Sequence, residues 1–377
     1  MALRKFLLCC WALCLGTTAR ASANEHLPLR APLIVTPKEL ELVSANFTDF
    51  SLSSHAGSIV KRYVYTCSAV DMVTVSAAYN QASQMIDAAL VALNGIVSIL
   101  NDITHAYQVY RDNPLIKVQW ETFGAIFGGV EFPIDTKNRD KQLKMLAYAT
   151  YIQCKDSVDS PDTLNIDIQC SDAWLSPTDP NGNRHPLPGN YWDSRPNFQS
   201  RPNMALDGWL DIGGAPGCSS GVAGGPTTTG FTITQLWAAK TDVMTLCQGY
   251  FATWNDHQAN GGTLKDVCAI AYNSGKRIQE VIDEDRLAVT VLHELTHSVS
   301  AVKTSVTDPI HFNDVSPVSD QECPSRPGED AYGWLCVTQL ADNPDKAIKN
   351  ADSYAIFAAA VYCNKNNWST GFARKVY

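Results

Sequence analysis

Two histidines and a glutamate, in the order His293-Glu294-Leu295-Thr296-His297, form the pattern with the clearest chemical meaning in this chain. On an α-helix, residues four positions apart share one face and lie about 5–6 Å apart, so both imidazoles could bind one ion. Zinc binds neutral imidazole at about 2.0–2.1 Å, and a catalytic zinc adds a third protein ligand and a water. Glu294 could take a proton from that water as it attacks a peptide carbonyl. The pattern predicts a zinc metallopeptidase with His293 and His297 as ligands and Glu294 as general base.

The residues around the motif predict that it lies on a helix. Apolar residues recur at helical spacing at Ala288, Leu292, Leu295 and Val299. Acidic residues at 283–285 would suit the positive end of a helix dipole. This helical context is the one in which the two imidazoles converge.

The third zinc ligand is expected downstream, where two acids precede a Tyr-Gly turn. Glu329 and Asp330 stand just before Tyr332-Gly333. Both carboxylates suit the oxygen ligand that zinc accepts. A site in which neither acid binds remains the third alternative, because acids in glycine-rich loops are usually solvated.

Taken together, these motifs resemble the aspzincin metallopeptidases, the deuterolysin and lysine-specific metalloendopeptidase families of secreted fungal enzymes. In that group H-E-x-x-H is followed by G-T-x-D-x-x-Y-G, whose aspartate is the third ligand, and then by a helix that opens Asn-Ala-Asp-x-Tyr-Ala. The chain has H-E-x-x-H, Tyr332-Gly333 and a segment from Asn350 to Ala355 in the same order. The resemblance covers about residues 240–363 and implies a zincin-like fold with one Zn²⁺.

The resemblance also implies roles for the downstream residues. Alignment on Tyr332 places Glu329 at the ligand position, with Asp330 one residue out of register, and the Gly-Thr pair is missing. The Tyr332 hydroxyl would point toward the developing oxyanion, or the residue is a packed tyrosine at a turn. Asp352 would contact substrate, or cap the last helix. Ala355 gives no second acid, so lysine specificity is unsupported.

The N-terminal residues predict secretion. A basic start, an apolar stretch over residues 6–15 and Ala21-Ser22-Ala23 are typical of a signal peptide, here residues 1–23. The apolar stretch is too short to span a bilayer.

The signal peptide is followed by two further segments. Residues 24–62 end in Lys61-Arg62, which indicates either a pro-segment cut after the pair or an N-terminal strand and loop with two solvated basic residues. Residues 63–377 would then form the catalytic domain.

The cysteines agree with an oxidising compartment. Nine of the 12 cysteines follow the signal peptide, and this number predicts up to four disulfides and one unpaired thiol. The sequence has no C-x-x-C pair, which argues against a zinc site with thiolate ligands. Two sequons, at Asn46 and Asn367, are compatible with glycosylation.

The remaining patterns predict an α+β, mostly helical protein with loop-rich, disulfide-tied insertions. Residues 70–112 have helical periodicity and predict two packed helices, with an interruption or a bend near Asn94-Gly95. Residues 163–169 alternate like a strand, and residues 155–235 are rich in proline and glycine.

Charge and composition restrict the partners. The formal net charge is −9 and the pI is near 5.3, so no basic field would attract nucleic acid. No later segment is long and apolar enough to predict a membrane span. The expected partner is a protein or peptide substrate, and the oligomeric state is left open. Two other functions remain: a catalytically impaired secreted protein that binds zinc or a partner on the same fold, and a metal-dependent hydrolase with another substrate.

Overall fold

Helices make up more than half of the residues that the computed structural model describes, and small sheets complete an α+β arrangement. The described residues are 64–65, 67–101, 105–128, 166–195, 208–212, 216–218, 229–236, 241–298, 312, 314–315, 323 and 330–376. The helices are α1 (Ala69–Asn101), α2 (Ala106–Asp112), α3 (Pro114–Phe127), α4 (Phe251–Ala259), α5 (Leu264–Ser274), α6 (Ile278–Glu284), α7 (Arg286–His297), α8 (Gly333–Leu340), α9 (Pro344–Ala347) and α10 (Ala351–Tyr362). The strands are β1 (Val64–Tyr65), β2 (Ile166–Gln169), β3 (Leu175–Ser176), β4 (Asn190–Asp193), β5 (Trp209–Asp211), β6 (Gly230–Leu236), β7 (Thr241–Leu246), β8 (Asn366–Asn367) and β9 (Arg374–Lys375).

Helices α1, α3, α7 and α10 form the main core. Helix α10 is buried at every position from Ala351 to Val361 except Asp352, as expected for a helix that is apolar on all sides. Phe357 of α10 packs edge-to-face on Phe123 of α3, with ring centroids 5.8 Å apart. Burying each of these rings contributes about 1.5–3 kcal/mol. The packing fixes α7 against α1 and α10.

A mixed four-stranded sheet lies on the other side of α7. Its order is β1-β2-β7-β6, with the first three strands parallel and β6 antiparallel to β7. Strand β6 is an edge strand of this sheet and contacts α7. The strand expected from residue 163 is β2, which begins at Ile166; residues 163–165 lie outside the described residues. Separate small sheets have the orders β3-β4-β5 and β8-β9.

Four disulfides confirm the expectation from the cysteine count. They join Cys67 to Cys170, Cys218 to Cys247, Cys268 to Cys363 and Cys323 to Cys336. The ninth cysteine, Cys154, lies outside the described residues, as do the predicted signal peptide, the candidate pro-segment and Asn46. Within the described ranges, no helix has the length and apolar character needed to cross a bilayer.

The second sequon lies inside the protein. Asn367 is only 4% exposed, its Nδ2 donates to Glu121 Oε2 at 3.1 Å, and its Oδ1 accepts from the Ser369 hydroxyl at 2.7 Å. Both ends of the amide are used within the fold, so this position suits a structural role better than a glycan.

The expected interruption of the first long helix is wrong. Helix α1 continues through Asn94-Gly95 as far as Asn101. A Cβ on Gly95 would lie 3.7 Å from Gln119 Oε1 and 3.9 Å from Ile116 Cγ1, so the glycine lies against α3. Tertiary packing outweighs the cost of about 1 kcal/mol that glycine carries in a helix.

The motif helix is also shorter than its sequence indicates. Residues 283 and 284 close α6, and Asp285 separates it from α7. The acidic residues therefore end one helix and join it to the next. The prediction that H-E-x-x-H lies on a helix is confirmed.

Candidate metal centre

The two histidines of the motif point toward each other from the last turns of α7. Their ring centroids are 4.8 Å apart, and His293 Nε2 lies 3.1 Å from His297 Nε2. Both side chains are largely buried, with 10% and 15% of their surfaces exposed. The spacing of four residues therefore brings the imidazoles together as the sequence predicts.

The third group beside the histidines is Asp314. Its Oδ1 lies 3.3 Å from His293 Nε2 and 3.5 Å from His297 Nε2. Among the described residues, these three side chains form the one cluster of histidine, cysteine and acidic groups that could hold a metal ion. Asp330 does not belong to this cluster, and Glu329 lies outside the described residues.

Both imidazoles are oriented by acceptors on their other nitrogen. His297 Nδ1 lies 2.7 Å from the carbonyl oxygen of Phe312, and His293 Nδ1 lies 3.1 Å from Asp352 Oδ1. A carbonyl and a carboxylate can only accept, so both Nδ1 atoms carry the proton. In a neutral imidazole the Nε2 atom then presents a lone pair.

When both imidazoles are neutral, the centre therefore brings three lone pairs together with no proton between them. The two Nε2 atoms converge on Asp314 Oδ1, a buried oxygen with no hydrogen-bond partner among the described residues other than these two imidazoles. Such an arrangement is repulsive unless a cation or added protons lie between the acceptors. Second acceptors on ligating histidines are typical of protein metal sites.

The distances agree with coordination of a small divalent ion. A tetrahedral ion with ligands at 2.0–2.1 Å separates any two ligand atoms by roughly 3.3 Å. The three separations here are 3.1, 3.3 and 3.5 Å. The His293-His297-Asp314 group could therefore bind a metal ion. Two histidines and a carboxylate occur at zinc sites and at non-haem iron sites, so the donor set leaves the element open.

The charges of the centre depend on one another. Burial disfavours the charged imidazoles, but the carboxylates of Asp314 and Asp352 outweigh it and raise the pKa of His293 well above its usual value. The pKa of His297 is raised in the same way, mainly by Asp314. Burial opposes ionisation of Asp314, yet the two histidines hold its pKa far below the usual range. In the metal-free protein, protons on the imidazoles thus take the place of the cation.

The loop that carries Asp314 is held by residues from the C-terminal part of the chain. The Asn350 Oδ1 atom accepts from the backbone N–H of Val315 at 3.1 Å, and its Nδ2 donates to the Ala331 carbonyl at 3.3 Å. The Ala331 N–H in turn donates to the Val315 carbonyl at 2.8 Å. Asn350 therefore fixes the residue after Asp314 and the residue before Tyr332 together.

Tyr332 contacts the centre through Asp314. Its hydroxyl donates to Asp314 Oδ2 at 2.8 Å, and its ring lies 5.7 Å from that of His293. Burial of the hydroxyl and the charge of Asp314 raise the pKa of Tyr332, so it stays a donor. In this structure the hydroxyl orients Asp314, and the expected oxyanion role stays a prediction. The residue is nonetheless 47% exposed and lies at the surface of the site.

Asp352 uses both carboxylate oxygens inside the protein. Oδ1 accepts from His293 Nδ1, and Oδ2 accepts from the backbone N–H of Gly333 at 2.6 Å. Asp352 thus caps the start of α8 and orients a histidine. It does not cap α10, as one reading of the sequence expected, and the expected substrate contact stays a prediction.

Glu294 lies buried between α7 and the sheet. Its Oε2 accepts a hydrogen bond from the Thr232 hydroxyl of β6 at 2.8 Å, and 4% of the residue is exposed. Burial raises the pKa of Glu294, and the two histidines oppose that shift. A carboxyl with a raised pKa beside a metal site is suited to taking and returning a proton.

Comparisons with known proteins leave the chain without a family. No family model matches it, and no curated protein or solved structure is significantly similar to it. The resemblance to aspzincins therefore depends on the quoted motifs alone.

Asp314 was missed by the sequence analysis because no local pattern marks it. The residue stands between Phe312, which is buried, and Val315, which packs against the core. Alignment on Tyr332 directed attention to acids three and two positions before that tyrosine. An acid flanked by core residues downstream of H-E-x-x-H is the signal that could have included Asp314.

Proposed function

We propose that this protein is a secreted zinc-dependent metalloendopeptidase with a zincin-like catalytic domain related to aspzincins. The observation that carries the proposal is the convergence of the two Nε2 atoms on a buried oxygen of Asp314, with the buried Glu294 next to the first histidine. A metal-storage site would have no need of a buried acid at that position. The four disulfides support an extracellular location.

The residues of the centre divide the chemical work. A bound zinc would supply a Lewis acid that polarises the peptide carbonyl and activates a water. Glu294 takes a proton from the attacking water and delivers it to the leaving amine. Asp352 and the Phe312 carbonyl keep both imidazoles in the tautomer that presents Nε2 inward. Tyr332 holds Asp314 and lines the open side of the site.

The test is metal analysis combined with casein hydrolysis. The purified chain should contain one zinc per molecule and cleave casein. Glu294→Gln should lower the rate by roughly 10²–10⁴-fold, because general-base catalysis contributes that much, and should retain zinc. Glu284→Gln, an exposed α6 residue paired with Lys276, is the matched control and should keep full activity.

Three results would overturn the proposal. A wild-type chain that binds zinc but cleaves no protein would favour a binding protein on the same fold. Iron in place of zinc, or ester hydrolysis without peptide hydrolysis, would assign the centre to other chemistry.

A further inference from the structure

One face of the edge strand β6 packs against the Glu294 side chain. Residues 230 and 232 are two apart in a strand, so they share a face, and both lie against the Glu294 side chain. The strand is held in register by antiparallel pairing with β7, in which Thr232 lies opposite Met244. The surface that positions the Glu294 carboxylate is therefore part of the sheet, whereas the two histidines lie on the helix.

Thr232 engages one oxygen of the carboxylate. Its hydroxyl lies 2.8 Å from Glu294 Oε2 and 3.2 Å from the Glu294 carbonyl oxygen. A hydroxyl has one proton to donate, and the closer, charged acceptor makes the stronger bond. Among the described residues no hydrogen bond engages Oε1, so this oxygen is left to take a proton.

Gly230 provides the space for this arrangement. A Cβ at that position would lie 3.1 Å from the Thr245 carbonyl oxygen, 3.2 Å from Thr290 Cγ2 and 3.3 Å from Glu294 Cγ. These separations are tighter than ordinary van der Waals contact. The glycine allows α7 to approach β6 closely enough for the Thr232 hydroxyl to reach the carboxylate.

We infer that Thr232 is a positioning residue, which fixes the rotamer of Glu294 by binding Oε2 and thereby directs Oε1 toward the attacking water. The inference rests on the proposed function. A general base must lie within hydrogen-bond reach of the proton it takes, and a side chain held at one oxygen loses less freedom when it does so.

Steady-state kinetics of three variants test the catalytic consequence. Thr232→Val keeps the β-branched shape and removes the hydrogen-bond donor. We expect kcat for a peptide substrate to fall roughly ten- to hundredfold, because a hydrogen bond to a charged group is lost. KM should change little. Thr232→Ser restores the donor and should recover most of kcat. Thr290→Val is the control, because that hydroxyl lies 3.5 Å from Thr229 and does not bond Glu294.

A double-mutant cycle on the metal-free protein gives a readout independent of activity. Thr232→Val, Glu294→Ala and the double variant should show coupled effects on unfolding, with a coupling factor of roughly ten in the unfolding equilibrium. Zinc content should be unchanged in Thr232→Val.

The outcomes separate the two proposals. An active wild type whose Thr232→Val variant keeps its kcat, or additive effects in the cycle, would overturn the inference and leave the peptidase proposal standing. An inactive wild type with a clearly coupled cycle would overturn the peptidase proposal, and Thr232 would then only orient a buried acid.

Discussion

Replacing Asp314 by alanine tests the assignment of the third ligand most directly. Asp314 supplies the carboxylate of the cluster, and its Oδ1 lies within 3.5 Å of both Nε2 atoms. The substitution removes an oxygen ligand and the negative charge that balances the ion. It also removes the acceptor of the Tyr332 hydroxyl, but 47% of this residue is exposed, so the side chain can turn toward water.

The expected loss follows from the size of metal-binding energies. Structural zinc sites with four ligands bind with apparent free energies of about 10–16 kcal/mol, which corresponds to about 2.5–4 kcal/mol per ligand. Removing one ligand should therefore weaken zinc binding roughly a hundred- to thousandfold. The two histidines remain, so some binding should persist.

Competition with a chromophoric chelator measures this change. Asp330→Ala and Glu329→Ala are the controls, since Asp330 does not belong to the cluster and Glu329 is the other third ligand that the sequence offers. Both should bind zinc as the wild type does. If Asp314→Ala kept full affinity while one of the controls lost it, the spatial assignment would be wrong and the alignment with G-T-x-D-x-x-Y-G would be right. Circular dichroism of each variant checks that the fold is retained.

Four further predictions concern the centre and the stability of the fold. Asp352→Ala should weaken metal binding roughly 10–100-fold, because His293 loses the carboxylate that orients it, and chelator competition would measure this. The same substitution should lower thermal stability in calorimetry, because the Gly333 N–H loses its acceptor. The pKa of both histidines is raised in the metal-free protein, so protons should compete with zinc even at a pH above 6.5, the usual pKa of histidine. Zinc affinity measured at several pH values should therefore rise through neutrality. Because the pKa of each histidine is higher in the folded than in the unfolded chain, the protonated histidines should stabilise the metal-free protein fully below about pH 6.5. This contribution should be lost as the pH rises through the pKa of the folded state, and urea unfolding at several pH values would measure it. Replacing Cys268 and Cys363 by serine opens a loop of 95 residues and should cost about 4–5 kcal/mol of unfolding free energy on the chain-entropy estimate, measured against the intact protein.

The parts of the centre that could be predicted are those set by local geometry. His293 and His297 are four residues apart on one helix, so their convergence follows from the helical repeat. Helix α10 was also visible, because its apolar run is continuous. The disulfide count followed from the number of cysteines, whereas the pairing did not.

The parts that could not be predicted depend on contacts between distant segments. Thr232 meets Glu294 across 62 positions, and Asp352 meets His293 across 59. Nothing near Asp314 indicates which of the many acids will face the histidines, because that is decided by Asn350 holding the following residue. The predicted interruption at Gly95 was wrong for the same reason, since the local sequence does not show that this glycine packs against α3.

The three residues of the cluster lie on two pieces of chain, α7 and the loop with Asp314, and this has a mechanical consequence. An ion shared by the end of α7 and Asp314 would close a loop of about 17 residues, comparable to a short reversible cross-link. Through Tyr332 and Asn350 the same link would reach the starts of α8 and α10. Removing the ion should therefore speed amide exchange at Val315 and Ala331, and raising free zinc should shift the melting temperature upward in proportion to the logarithm of its concentration.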